Sequence, residues 1–173
     1  MLETETLMTD FDIEAYFGAL DTERVRRGLT WAGLTRELNA PFAHRPDIHP
    51  ISSSTITGMR SRGSLNANIV VHTLMWLRRA PEEFMFDHPV EPVSLPELEV
   101  GHLPRWDTVA LYETIDARRD ALQLSWSKVA VEVGGFTSET LRSLRNSVGF
   151  PRVMRVLGWL RRPAAEFVLN LPV

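Results

Sequence analysis

V-V-H-T-L-M-W-L-R-R-A-P-E-E-F, Val70 to Phe84, returns as V-M-R-V-L-G-W-L-R-R-P-A-A-E-F, Val153 to Phe167, with 8 of 15 positions identical and no gap. The agreement extends upstream. L-D-T-E-R-V-R-R-G-L-T-W-A-G-L-T-R-E-L (Leu20 to Leu38) parallels I-D-A-R-R-D-A-L-Q-L-S-W-S-K-V-A-V-E-V (Ile115 to Val133). That match keeps Asp21/Asp116, Arg24/Arg119, Leu29/Leu124, Trp31/Trp126 and Glu37/Glu132. The entries correspond as well, Phe11-Asp12 with Trp106-Asp107 and Phe17 with Tyr112. Two unrelated amphipathic segments would not supply both tryptophan pairs in the same order, so the chain is an internal duplication.

The copies are 95 residues apart at the first block and 83 at the last, so the first copy is about twelve residues longer. Most of the excess falls in Ala40 to Pro50, A-P-F-A-H-R-P-D-I-H-P, where the second copy has only Gly134-Gly135-Phe136. Between the copies, Asp87 to Pro104 holds four of the eleven prolines and no lysine or arginine, which predicts an extended, semi-rigid linker. Within each copy the apolar period is helical. Phe11, Ala15, Leu20 and Val25 are expected to line a first helix, as are Trp106, Val109, Ala110, Ile115 and Leu122. Thr30 and Ser125 are N-cap candidates for second helices. Third helices are predicted near Ser54–Arg62 and Ser138–Asn146, fourth near Asn66–Leu77 and Pro151–Leu160, and short fifth helices from Pro81 and Pro163. No strand alternation stands out. The expected fold is therefore all-α: two tandem five-helix bundles, residues 10–87 (with the inserted loop 40–50) and 105–170, joined by a Pro-rich linker over 88–104.

Composition narrows the function. The 173 residues include no cysteine, which excludes disulfides, thiolate zinc sites and a cysteine nucleophile. No apolar run approaches the roughly 20 residues of a bilayer span, and the acidic start M-L-E-T-E-T-L lacks the features of a signal peptide. A cytoplasmic protein without membrane contact is expected. The net charge of −3 conceals an asymmetry: −3 over residues 1–90, −3 over 91–104 and +3 over 105–173. A basic face for a polyanion can hide inside such a total.

In the second copy, Ser125 to Arg145 reads as a short helix, a tight glycine turn and a second short helix. That is the size of a helix-turn-helix unit, whose second helix enters the major groove. Val129, Ala130, Val133, Phe136, Leu141 and Leu144 fall on the inward face. Thr137, Ser138, Glu139, Thr140, Arg142, Ser143, Arg145 and Asn146 remain outside, all able to hydrogen-bond a base edge or a phosphate.

The motif L-S-W-x-x-V-A-x-E-x-G, then S-x-T-L-x-x-L, then W-L-R-R-P-A-A-E-F resembles the lambda-repressor-like (XRE-type) helix-turn-helix family of actinobacteria and their phages. The first copy repeats the outline as G-L-T-W-A-G-L-T-R-E-L, S-S-T-I-T-G-M-R-S-R-G and W-L-R-R-A-P-E-E-F. The resemblance implies binding of double-stranded DNA in transcriptional control, as a repressor, with no cofactor. Its base-reading positions fall on Ser53, Ser54, Thr55, Thr57 and Gly58 in the first copy, and on Ser138, Glu139, Thr140, Arg142 and Ser143 in the second. Its phosphate-binding positions fall on Thr30, and on Ser125 with Lys128. Arg60, Arg62, Arg142 and Arg145 are further phosphate candidates, because they lie on the helix that this fold presents. The family's turn is tight where the first copy carries its insertion, and Glu139 puts a carboxylate on the reading helix, where it would accept from cytosine or repel.

Other readings compete. Trp31, Trp126, Trp76 and Trp159 read as core, and the Arg78-Arg79 and Arg161-Arg162 doublets as cations complementing helix ends. His44, Asp47 and His49 lie within six residues of each other but lack a fourth metal donor, so no metal site is predicted. No phosphate loop, catalytic triad or paired buried carboxylates point to an enzyme. The acidic first copy, its stretched turn and the acidic linker also fit a regulator that binds a protein through the first bundle or its inserted loop. A homodimer is a further option.

Overall fold

The computed structural model describes residues 10–61, 65–146 and 149–173. The first repeat contains helices α1 (Ile13–Arg26), α2 (Trp31–Asn39), α3 (Ser53–Thr57) and α4 (Ala67–Leu77), then a 3-10 turn at Pro81–Phe84. The second opens on strand β1 (His102–Trp106). Helices α5 (Thr108–Ala121), α6 (Trp126–Val133), α7 (Ser138–Arg142) and α8 (Phe150–Leu160) follow, then a 3-10 turn at Ala164–Phe167 and strand β2 (Val168–Pro172).

The duplicated residues act as duplicated devices. Asp12 and Asp107 cap α1 and α5, each accepting from the backbone N–H three residues on, Ala15 and Ala110, at 2.9 Å. Thr30 and Ser125 do the same for α2 and α6. Arg24 pairs with Asp21 and donates to the carbonyl of Leu29, and Arg119 repeats this with Asp116 and Leu124. Each arginine closes the end of a long helix while its guanidinium covers the next tryptophan, Trp31 or Trp126. Those indoles lie against Phe17 and Tyr112, with centroids 5.1 and 5.3 Å apart. The indole N–H of Trp76 donates to Glu37 at 2.8 Å and that of Trp159 to Glu132 at 3.0 Å, tying the fourth helix of each repeat to its second.

The all-α expectation is overturned by the two-stranded antiparallel sheet that β1 and β2 form. Trp106 pairs with Val168 and His102 with Pro172. The corresponding place in the first repeat holds a single bridge, Phe11 to Met85. Residues 102–106 thus pair instead of running on as linker, because the segment after the last 3-10 turn gives them a ladder partner. Five-helix bundles are also corrected. Among the described residues each repeat has four α-helices, and the segments after Pro81 and Pro163 are single 3-10 turns, too short for an α-helical ladder. Both third helices are shorter than expected: α3 is followed by a 3-10 turn at Met59–Ser61, and residues 143–146 form turns after α7. Val25 and Leu122, expected to face inward, are 60% and 51% exposed, because each lies at the end of its long helix beyond the core.

One apolar core runs through both repeats, from Phe11, Leu38 and Leu74 to Trp106, Phe150 and Leu157. The junction has a local twofold character. Asn66 forms an antiparallel bridge with Gly149, its own equivalent in the second repeat. An antiparallel bridge between equivalents places a pseudo-dyad between them. Other contacts obey it: Phe11 packs edge-on against Phe150 at 4.8 Å, and their equivalents meet where the Trp106 indole donates to the Ala67 carbonyl at 2.8 Å. The linker lies on this body, with His88 Nε2 3.1 Å from the Met154 carbonyl oxygen and Asn170 donating to the Glu97 carbonyl at 2.9 Å. No helix among the described residues is long and apolar enough to cross a membrane.

Candidate nucleic-acid interface

In the second repeat α6 ends on Gly134, whose φ of +79° turns the chain sharply toward α7. Thr137 then caps α7 reciprocally with Thr140: Thr140 N–H donates to Thr137 Oγ1 at 3.1 Å, and Thr137 N–H to Thr140 Oγ1 at 2.8 Å. Val129, Ala130, Val133, Leu141 and Leu144 are buried as the pattern predicts, and Phe136 is half-buried.

The outward side of this unit gathers the predicted residues. Ser138, Glu139, Arg142, Ser143, Arg145 and Asn146 line one open groove together with Tyr112. Thr140 is exposed on the same helix, with its oxygen engaged in the cap. Ser125 is the α6 cap, accepting from Lys128 N–H at 3.1 Å, and the Lys128 side chain is exposed. Arg145 lies over the Tyr112 ring at 5.2 Å, while its carbonyl accepts from Thr108. Among the described residues Lys128, Arg142 and Arg145 have no carboxylate within salt-bridge distance. In the groove itself two unpaired cations, Arg142 and Arg145, stand beside one acid, Glu139, and the ring fixes where Arg145 sits.

The first repeat builds the same outline with different chemistry. Ser52 caps α3, and its hydroxyl also engages Ser54 Oγ at 3.0 Å and Thr55 Oγ1 at 2.8 Å. Thr57 is exposed but returns its hydroxyl to the Ser53 carbonyl, and Gly58 ends the helix. Thr30 is the exposed α2 cap. Arg60 stands where Arg145 stands in the other repeat and lies over Phe17 at 5.1 Å, yet it is ion-paired to Glu14. The equivalent of Glu14 is Val109, which cannot pair with Arg145. Arg62 lies outside the described residues.

The insertion leaves the helix-turn-helix outline intact. Asn39 clamps its far end, donating to the Ile51 carbonyl at 2.8 Å and accepting from Ile51 N–H at 2.9 Å. Pro41 and Phe42 are buried beneath it. Asp47 pairs with Arg45, whose guanidinium pulls its carboxyl down to about 2. Among the described residues no three histidine or carboxylate side chains are arranged to hold a metal ion.

The aromatic platform of Phe17 and Tyr112 was not among the predicted site residues. The signal lay in the repeat itself, since Arg60/Arg145 and Phe17/Tyr112 are matched pairs. Comparison of the chain with family models, with curated proteins and with solved structures finds no match.

Proposed function

We propose that this chain is a sequence-specific double-stranded DNA-binding regulator of transcription, acting as a repressor in the manner of the XRE-type proteins it resembles, with the second repeat making the dominant contacts. The carrying observation is the groove along α7, where Arg142 and Arg145 stand unpaired beside Ser138, Ser143 and Asn146. Guanidinium groups suit both phosphate and the guanine edge, and the hydroxyl and amide groups suit either base or backbone.

The pseudo-dyad supports a two-point reading. A twofold rotation preserves height along its axis, so α3 and α7 stand at the same level on either side of it, an arrangement that suits two-point contact. One chain then offers two reading helices, as a symmetric dimer does. Their different side chains call for an asymmetric site. Arg60, held by Glu14, leaves the first repeat weaker in phosphate contact. That same pairing favours a second reading, in which the first bundle and its inserted loop dock a protein partner while the second holds DNA.

The test is anisotropy titration of the full chain against duplexes selected from a random pool. A selected asymmetric site is expected. With about six phosphates neutralised, log K should fall with log salt at a slope near −5. Failure to select any site, or salt-insensitive binding, removes the proposal.

A further inference from the structure

The pseudo-dyad relates two clefts that the two repeats fill differently. In one, Arg155 is ion-paired with Asp10. Gly134 makes room for it, since a Cβ there would lie 2.7 Å from Arg155 Nη1. In the other cleft the equivalents of Arg155 and Asp10 are His72 and Arg105. An internal ion pair has become an arginine beside an imidazole. Among the described residues no acid replaces the missing partner: the inserted loop, α4 and β1 line a half-open cavity of about 280 Å³ with no carboxylate in its wall.

The wall is built to receive an anion. Among the described residues the Arg105 guanidinium has the backbone carbonyl of its neighbour Pro104, at 2.8 Å, as its hydrogen-bond acceptor and no carboxylate. His72 is 1% exposed, and among the described residues its Nε2 has no partner. Burial, with a smaller contribution from Arg105, pushes its pKa down to about 4, so the imidazole is neutral near pH 7. Asn66 Oδ1 accepts from two backbone N–H groups and Asn68 Oδ1 from that of Trp106, which leaves both side-chain NH2 groups as donors. Phe42 from the insertion and Ile51 just beyond it supply apolar wall, beside the polar His49, Ser52 and Thr55. A buried polar atom without a partner and a cation without a counter-ion, in one cavity, are what a ligand would satisfy.

We propose that this cavity binds a small organic monocarboxylate, its carboxylate paired with Arg105 and donated to by Asn66 and Asn68, its compact apolar body enclosed by Phe42 and Ile51. One guanidinium selects a single negative charge. At about 30 Å³ per water, the volume equals that of about nine waters, the size of benzoate or a short branched acid. Ser52 and Thr55 also line the cavity. Occupancy therefore bears directly on the cap of α3 and gives the ligand a route to the first repeat's reading helix.

The full chain is titrated calorimetrically with benzoate and isovalerate, and in parallel with benzamide, isovaleramide and inorganic phosphate. Saturable one-to-one binding of a carboxylate is expected, with Kd of about 0.1–1 mM for a fragment of this size. The matching amide should bind at least about tenfold more weakly. Two variants report on the site. Arg105→Met removes the cation, and Asn68→Asp keeps the acceptor for Trp106 N–H while supplying Arg105 with an internal counter-ion. Both should weaken the carboxylate at least about tenfold, with far-UV dichroism showing a retained fold. The proposal is overturned if neither acid saturates by about 10 mM, if acid and amide bind alike, if phosphate binds more tightly than both acids, or if a folded variant of either kind keeps wild-type affinity.

Discussion

Arg60 and Arg145 hold equivalent positions just beyond α3 and α7, each over its repeat's equivalent ring, Phe17 or Tyr112; the neighbour at Glu14 or Val109 separates them. An exposed ion pair adds little to stability, but under the proposed function it sets the charge offered to DNA. Arg145→Ala should weaken binding of a selected duplex about tenfold and flatten the salt slope by about 0.9, while Arg60→Ala should change affinity less than about threefold. Glu14→Val, which copies the second repeat, should steepen the slope by about 0.9; equal slopes for wild type and this variant would show that Arg60 never reaches phosphate. His72 gives a second residue-scale expectation. Its folded pKa of about 4 lies below the unfolded value near 6.5, so the unfolded chain binds the proton first. Stability contributed by the neutral imidazole is complete above pH 6.5 and lost as pH falls toward 4, by about 3 kcal/mol. Urea midpoints measured across that window should decline in wild type and decline less in His72→Met. Parallel curves would refute the assignment.

At the scale of elements, the repeat supplies its own controls. The turn after α1 uses Gly28 at φ +68°, whereas the equivalent turn after α5 forces Gln123 to φ +55°. A side chain there costs about 1 kcal/mol that glycine avoids, so Gln123→Gly should stabilise by about 0.5–1 kcal/mol and Gly28→Gln should destabilise by a similar amount. Thermal melts of the two variants check the signs, and equal signs would refute the pairing. Gly134→Ala meets both a positive φ and Arg155, and should cost about 1–3 kcal/mol. The caps Thr30 and Ser125 were legible in the sequence, because capping is local chemistry, and both cap in the structure, as Asp12 and Asp107 also do. The sheet was not legible. His102–Trp106 and Val168–Pro172 each contain a proline and are far apart in sequence, so only tertiary contact makes them a ladder. The site was legible in part for the same reason. Spacing placed Arg142 and Arg145 outward, but the pairing of Arg60 with Glu14 and the cavity beside Arg105 depend on which elements the dyad brings together.

For the whole molecule, the continuous core matters more than the duplication. Trp106 belongs to the second repeat by sequence, yet its backbone N–H donates to Asn68 and its indole to Ala67 in the first. Phe150, fully buried, packs on Phe11, and Glu82 of the first repeat accepts from the backbone N–H of Ala164. Either half alone would expose these apolar faces and lose these partners, and bundles of this size are marginal to begin with. The chain should therefore unfold as one cooperative unit, with calorimetric and van't Hoff enthalpies equal. Phe150→Ala, although in the second repeat, should destabilise the whole by about 3–5 kcal/mol. Its melt, followed separately by amide exchange in α2 and in α6, should fall equally in both. Proteolytic nicking at an engineered site within residues 90–94 should leave two fragments that still elute together. Two resolved transitions, or a half that melts alone at the temperature of the intact chain, would mean that the repeats are independent modules. The cavity and the proposed pairing of α3 with α7 on DNA would then lack the rigid frame on which both depend.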